Sequence, residues 1–178
     1  MNSKTKKISV AMATYNGEKY IKEQIETILE NLSENDELVI SDDGSSDMTV
    51  KIIESFNDKR IKLIDGPKKG LKKNFENAIK NTTGDYIFLS DQDDTWMEDK
   101  VKKVISCFNS NNYILIQHDA IVVDESDNVI FDSFAEHRKV KTGIIKNLIK
   151  NSYHGCCIAF KKELKDKILP IPDNIYLH

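Results

Sequence analysis

The stretch Leu89-Ser90-Asp91-Gln92-Asp93-Asp94-Thr95-Trp96 decides how this chain is read. It follows an apolar run, Tyr86 to Leu89, that reads as a buried strand, and it leads into a capping-box pattern, Thr95-x-x-Glu98, that predicts a helix start. Three carboxylates within four residues at the exit of a buried strand repel one another unless positive charge lies between them. A divalent cation is the usual neutraliser, and hard oxygen ligands suit Mg²⁺ or Mn²⁺. The tract therefore points first to metal-assisted chemistry on phosphates or sugar nucleotides.

Upstream of it, strand and helix patterns alternate with a period of roughly 30 residues, the length of a strand–helix–strand unit. Ile8 to Ala13 reads as a strand, and Ile21, Ile25, Ile28, Leu29 and Leu32 are spaced for one face of a helix over Glu18 to Leu32. Glu37 to Ile40 and Ile61 to Ile64 read as strands. A helix from about Met48 turns Ile52, Ile53 and Phe56 inward, and one from Leu71 carries Phe75, Ala78 and Ile79. Met97, Val101, Val104, Ile105 and Phe108 mark a fourth helix. This alternation predicts an α/β domain with a mostly parallel, doubly wound sheet and helices on both faces.

Beyond residue 110 the pattern changes. Tyr113 to Gln117 reads as a strand, Ala120 to Val123 and Val129 to Phe131 as a hairpin, Ile144 to Ile149 as a short helix, and Cys156 to Phe160 as another strand. A single domain over 1–178 is expected, with a nucleotide-binding half at 1–110 and a mixed half at 111–178 that shapes the rest of the cleft. The chain is 39% hydrophobic and 31% charged, as ordinary globular proteins are. No segment approaches the roughly 18 apolar residues of a spanning helix. The polar, basic start runs straight into a strand and shows no secretory signal, so a cytoplasmic protein is expected. A net charge of −3 gives no reason to expect nucleic-acid binding. Cys107, Cys156 and Cys157 form neither a disulfide framework nor a zinc spacing and read as buried, reduced thiols.

The polar clusters all fall where strands end: Thr14-Tyr15-Asn16-Gly17, Ser41-Asp42-Asp43-Gly44-Ser45-Ser46-Asp47, and Ser90 to Asp94. In an open parallel sheet the carboxyl ends of the strands share one edge, and ligands bind there. Three clusters therefore converge on one site. Each also has a plainer reading. Ser45 to Asp47 suits a turn and helix N-cap, Thr14 to Gly17 an ordinary strand-to-helix turn, and Asp94 a surface residue. Lys68, Lys69, Lys72 and Lys73 stand where they would steer a diphosphate or simply solvate a helix start.

Taken in order, ISVAMATYN (Ile8 to Asn16), SDDGSSD (Ser41 to Asp47), GDYI (Gly84 to Ile87) and SDQDDTW (Ser90 to Trp96) resemble family 2 glycosyltransferases of the GT-A fold, over essentially the whole chain. The SDQDD-W variant looks most like enzymes of bacterial cell-surface polysaccharide synthesis, particularly rhamnosyltransferase-like members. The resemblance implies that Thr14, Tyr15 and Asn16 line a nucleoside pocket, that Asp42 with Asp43 meets the base, and that Lys73 helps to hold the nucleotide. It implies that Asp91 faces the ribose side and joins the metal site. Asp93 would bind the Mg²⁺ or Mn²⁺ that bridges the diphosphate. Trp96 and the pair Gly155-Cys156, which follows Asn151, fall on the acceptor side. The implied reaction is inverting transfer from a UDP- or dTDP-sugar, dTDP-rhamnose among the candidates, to a saccharide or lipid-linked saccharide.

The resemblance places the catalytic base on an Asp just beyond His178, so a domain truncated at its C-terminus is expected, binding donor better than it transfers sugar. Asp119, Asp124, Asp132 and Glu136 are weak substitutes for that base. A nucleotide-sugar-binding domain without turnover is the alternative. A sugar-phosphate nucleotidyltransferase fits less well, because Thr14 to Glu18 has one glycine and an acid where a triphosphate needs a glycine-rich basic loop. Lysines 4, 6 and 7 with 161, 162, 165 and 167 allow peripheral contact with an anionic inner membrane face, or are solvated helix faces.

Overall fold

The computed structural model describes residues 6–140 and 155–172. Four strands alternate with helices: β1 (Ile8–Thr14), α1 (Ile21–Asn31), β2 (Glu37–Asp42), α2 (Thr49–Ser55), β3 (Ile61–Asp65), α3 (Leu71–Lys80), β4 (Tyr86–Ser90) and α4 (Lys100–Ser110). The short elements β5 (Leu115–Gln117), β6 (Val122–Val123), β7 (Val129–Phe131) and α5 (Phe134–His137) follow. A 3-10 turn over Gly155–Cys157 then leads into β8 (Ile158–Lys161) and α6 (Lys162–Ile168).

The main sheet runs β3-β2-β1-β4-β8-β5. The first four strands are mutually parallel, and β8 is antiparallel to both β4 and β5. The expected parallel half and mixed half are thus joined in one sheet. β6 and β7 form a separate antiparallel hairpin.

Strand alternation sorts the core into two layers. Val10 and Met12 of β1, Leu38 and Ile40 of β2, and Tyr86 and Phe88 of β4 pack with the apolar stripes of α1, α2 and α4. Ala11, Ile87 and Phe160 point the other way, against Ala78 and Ile79 of α3 and Leu164 and Ile168 of α6. β1 is buried along its whole length, which is why ISVAMAT reads as a continuous apolar run with only small polar residues. Gly84 has no side chain because a Cβ there would lie 2.6 Å from Ser9 Oγ and 2.8 Å from the Lys7 carbonyl oxygen.

Several expectations need correction. Thr95 does not cap a helix: α4 starts at Lys100 with Asp99 at its N-cap, and Met97 is exposed. The reason is local, since Asn31 Nδ2 donates to the Met97 carbonyl at 3.0 Å and the Trp96 N–H to Thr27 Oγ1 at 3.1 Å. Residues 95–98 are thus held against α1 in a non-helical approach. Cys107 is exposed, not buried. Cys156 falls in the 3-10 turn, so β8 begins only at Ile158. The helix expected over 144–149 lies outside the described residues, as do Asn151, Lys4 and His178. Helix α6 was not expected, and its lysines partly serve the fold. Lys165 Nζ donates to the carbonyls of Lys80 at 2.9 Å and Thr82 at 2.7 Å, closing the C-terminal end of α3.

Candidate active site

The register brings the three polar clusters together as expected. Thr14 stands beside Asp42, and Met12 beside Ser90, so the ends of β2, β1 and β4 lie side by side. A cleft of about 740 Å³ opens over them, a volume suited to a small-molecule ligand. Its walls include Thr14, Tyr15, Asp43, Lys68, Asp91 and Asp93. Leu71 and Asn74 of α3 complete it.

At the end of β1, Thr14 is buried and its Oγ1 donates to Asp42 Oδ2 at 2.9 Å. Tyr15 is 58% exposed, an aromatic face presented to the cleft mouth. Asn16 adopts φ 50° and joins two loops instead of facing the cleft. Its N–H donates to Ser45 Oγ, and its Oδ1 accepts from the Ser46 N–H, both at 2.8 Å. Asparagine tolerates this left-handed conformation better than most side chains.

At the end of β2 the two acids divide the work. Asp42 is buried, and its carboxylate accepts from Thr14 Oγ1, Ser45 Oγ and the N–H groups of Gly44 and Ser45. It shapes the loop from behind. Asp43 is the acid that lines the cleft. Its carboxylate also accepts the Lys68 N–H at 2.6 Å and the Gly70 N–H at 2.8 Å, which ties the β3–α3 loop across the cleft. Asp47 belongs to the helix start, accepting from the N–H groups of Thr49 at 2.9 Å and Glu18 at 3.1 Å.

The Asp43 tether places Lys68 over Gly44, where an added Cβ would lie 3.1 Å from Lys68 Cε. Lys68 is the one cation among the described cleft-lining residues. Lys73, the lysine expected to hold nucleotide, instead donates to Glu76 Oε2 at 3.0 Å and to the Ile171 carbonyl at 3.3 Å. Helical periodicity explains the difference: Lys68 precedes the helix on a loop that returns to the sheet edge, whereas Lys73 lies on a flank of α3 facing Glu76.

At the end of β4, Asp91 and Asp93 face the cleft with Gln92 between them. Gln92 is pinned to Tyr15: Oε1 accepts the Tyr15 N–H at 2.9 Å, and Nε2 donates to the Tyr15 carbonyl at 3.2 Å. Burial, reinforced by Asp94 and Asp93, pushes the Asp91 carboxyl up to about 6. Burial and Asp94 likewise raise Asp93. Ser90 Oγ donates to the Asp91 backbone carbonyl at 2.9 Å, but among the described residues no donor reaches the Asp91 carboxylate, so its oxygens stay open to an outside partner. Hard carboxylate oxygens, held close and disfavoured as free anions, fit a divalent cation such as Mg²⁺ or Mn²⁺. Asp91 and Asp94 also approach the Cys156 thiol, the three ligand atoms lying within 4.8 Å of one another. The Cys156 thiol is pushed up by its hydrogen bond to Cys157, by burial and by Asp94.

Trp96 is 4% exposed and packs in the core against Phe88, ring centroids 5.8 Å apart, so it offers no acceptor surface. Gly155 is exposed, and Cys156 is close to the acid tract, which puts the 3-10 turn beside Asp91 and Asp94. Asp119 and Asp124 are committed to local turns. Asp119 accepts from Ser133 Oγ and the Ala135 N–H, and Asp124 from the Ser126 and Asn128 N–H groups. Sequence reasoning missed Gln92, Leu71, Gly70 and Asn74, because a linker amide, a leucine, a glycine and a helical asparagine carry no chemical signature of their own.

The Glycosyl transferase family 2 pattern matches residues 9–169. The chain belongs to that family. It is 42% identical over 109 residues to a dTDP-rhamnosyl transferase, RfbG, of Shigella flexneri, covering 57% of this chain and 38% of that protein. It is 31% identical over 150 residues to WfgD of Escherichia coli, a UDP-Glc:alpha-D-GlcNAc-diphosphoundecaprenol beta-1,3-glucosyltransferase, covering 84% and 57%. Among solved structures, a mannosyltransferase from Pyrobaculum calidifontis in complex with GDP-Man and Mn²⁺ superposes with a TM-score of 0.73 at 21% identity, over 97% of this chain and 49% of that one. That likeness concerns the fold, which is the GT-A arrangement expected from the sequence. The chain spans about half the length of the curated relatives it matches.

Proposed function

We propose that this family 2 chain provides the donor site of a metal-dependent, inverting glycosyltransferase of bacterial surface-polysaccharide synthesis. The donor is a nucleoside-diphosphate sugar with a pyrimidine base, a UDP- or dTDP-sugar with dTDP-rhamnose a candidate. The acceptor is a saccharide or lipid-linked saccharide. One observation carries the reading: a single cleft at the strand ends combines an exposed tyrosine, one lysine, a half-buried Asp91 and an exposed Asp93. These are the parts a base, a diphosphate and its counter-cation need. The relatives' dTDP-rhamnosyl and UDP-glucosyl activities support a pyrimidine donor.

Each part has a task on this reading. The Tyr15 ring stacks on the base, while Thr14 and Asp43 border the nucleoside. Lys68 meets the diphosphate. Asp93 and Asp91 hold the cation, which, when bound, neutralises charge growing on the leaving diphosphate as a Lewis acid. Asp42 and Asn16 act through the loops they brace. Residues 1–110 form the nucleotide half, and 111–178 border the acceptor. No described helix is long and apolar enough to cross a membrane. We place the protein in the cytoplasm, with any membrane contact peripheral and at the inner face.

Thermal stability in the presence of UDP, dTDP or GDP, each with and without Mn²⁺, tests the proposal. A Mn²⁺-dependent rise in Tm with one pyrimidine diphosphate is expected. Equal shifts with all three, or none with any, would speak against it.

A further inference from the structure

Helix α4 begins with a lysine that the donor-site reading leaves unused. Lys100 does not project into solvent. Its Nζ lies 4.0 Å from the centre of the Trp96 ring and 3.4 Å from the Cys156 carbonyl oxygen, to which it donates. Cys156 Sγ in turn lies within 4.8 Å of carboxylate oxygens of Asp91 and Asp94. The ammonium is thus anchored beside the acid tract by way of Cys156. Burial lowers its pKa to about 8, against the pull of Cys157, Cys156, Asp94 and Asp91, so the charge persists at neutral pH.

We propose that Lys100 is a positioning residue for metal entry, a built-in counter-charge that keeps the acid tract from capturing a divalent cation before nucleotide arrives. The proposal rests on the donor-site reading. Two acids brought together at a strand exit would otherwise form a ready cation trap. A fixed positive charge beside Asp91 and Asp94 already offsets part of their repulsion, and it repels a doubly charged ion. A nucleoside diphosphate brings its own negative charges to the cleft and restores the balance in favour of the metal. Binding is therefore ordered: the cation enters with the diphosphate and is held by Asp93 and Asp91, the two acids that line the cleft. The surroundings of Lys100 suit this role. The Trp96 face and a carbonyl oxygen hold the ammonium without discharging it.

Mn²⁺ binding to the purified chain, read from the electron paramagnetic resonance signal of free Mn²⁺, tests this with and without UDP or dTDP. The wild type should bind Mn²⁺ weakly alone and at least about tenfold more tightly with a diphosphate. Lys100→Met should gain about tenfold in nucleotide-independent Mn²⁺ affinity, and Lys100→Arg, which keeps the charge, should behave as wild type. Adding Asp94→Asn to Lys100→Met should abolish the gain. If Lys100→Met does not fold, Lys100→Gln provides the same comparison. An unchanged affinity in the folded neutral variant, or the same gain in Lys100→Arg, would overturn the proposal. Absence of Mn²⁺ binding in the wild type even with either diphosphate would instead overturn the donor-site reading, and this proposal with it.

Discussion

The side-chain amide of Gln92 pairs with the backbone of Tyr15 as one strand pairs with another, accepting its N–H at 2.9 Å and donating to its carbonyl at 3.2 Å. This two-bond clasp joins the exits of β4 and β1, and so joins the acid tract to the aromatic wall of the cleft. Gly17 makes room for it, since a Cβ there would lie 2.5 Å from Gln92 Oε1.

Replacing Gln92 with Ala removes both bonds and should cost about 1–2 kcal/mol of stability. The loss of nucleotide affinity should exceed that of an equally destabilised variant elsewhere, because Asp91 and Asp93 lose their fixed spacing from Tyr15. Chemical denaturation and calorimetric titration on the same sample separate the two effects. Gly17→Ala should reproduce the affinity loss with Gln92 intact.

The adjacent acids of β2 should respond oppositely. Asp42→Ala strips acceptors from four donors behind the cleft and should destabilise the protein by about 2–4 kcal/mol. Asp43→Ala frees the 68–70 loop at the surface and should cost less stability but weaken diphosphate binding, since Lys68 loses its tether. Tm and nucleotide Kd measured side by side decide between them.

Asp91 makes stability depend on pH in a definite direction. Its folded pKa of about 6 exceeds the ordinary carboxylate value, so the unfolded chain gives up this proton first as pH rises. Asp91 therefore favours the folded state at low pH, and that contribution is lost between about pH 4 and pH 6. Without metal, Asp91→Asn should be more stable than wild type at pH 7.5, by up to about 3 kcal/mol, and the difference should shrink towards pH 4. Wild-type Mn²⁺ affinity measured with nucleotide should rise from pH 5 to pH 7 as the competing proton leaves. A urea midpoint series across this range tests the stability claim.

Much of this was legible in the sequence because its signals were periodic. The alternation of apolar runs yielded β1 to β4 and their helices, and the sheet rule placed Thr14, Asp43 and Asp91 on one edge before any contact was known. What remained hidden depends on partners distant in the chain. Trp96 looked like a cleft residue from its neighbours in SDQDDTW, but it packs on Phe88. Asp42 and Asp43 are indistinguishable as letters, and strand alternation buries one and opens the other. The capping-box letters at Thr95 and Glu98 were overridden by contacts of Met97 and Trp96 with α1.

The lysines provide another separation. Lys68→Gln should weaken diphosphate binding by about 1 kcal/mol, roughly fivefold, with the difference shrinking at high salt. Lys73→Gln removes links to Glu76 and Ile171 and should lower stability while leaving nucleotide affinity close to wild type. Titrations at two ionic strengths distinguish the two.

The central claim is tested most directly by calorimetric titration of the chain with UDP, dTDP and GDP, each with and without Mn²⁺, repeated on Asp93→Ala. The account predicts Mn²⁺-dependent binding of one pyrimidine diphosphate by the wild type and its loss in the variant. Binding that is indifferent to Mn²⁺ and to Asp93, or no binding by the folded wild type, would contradict it.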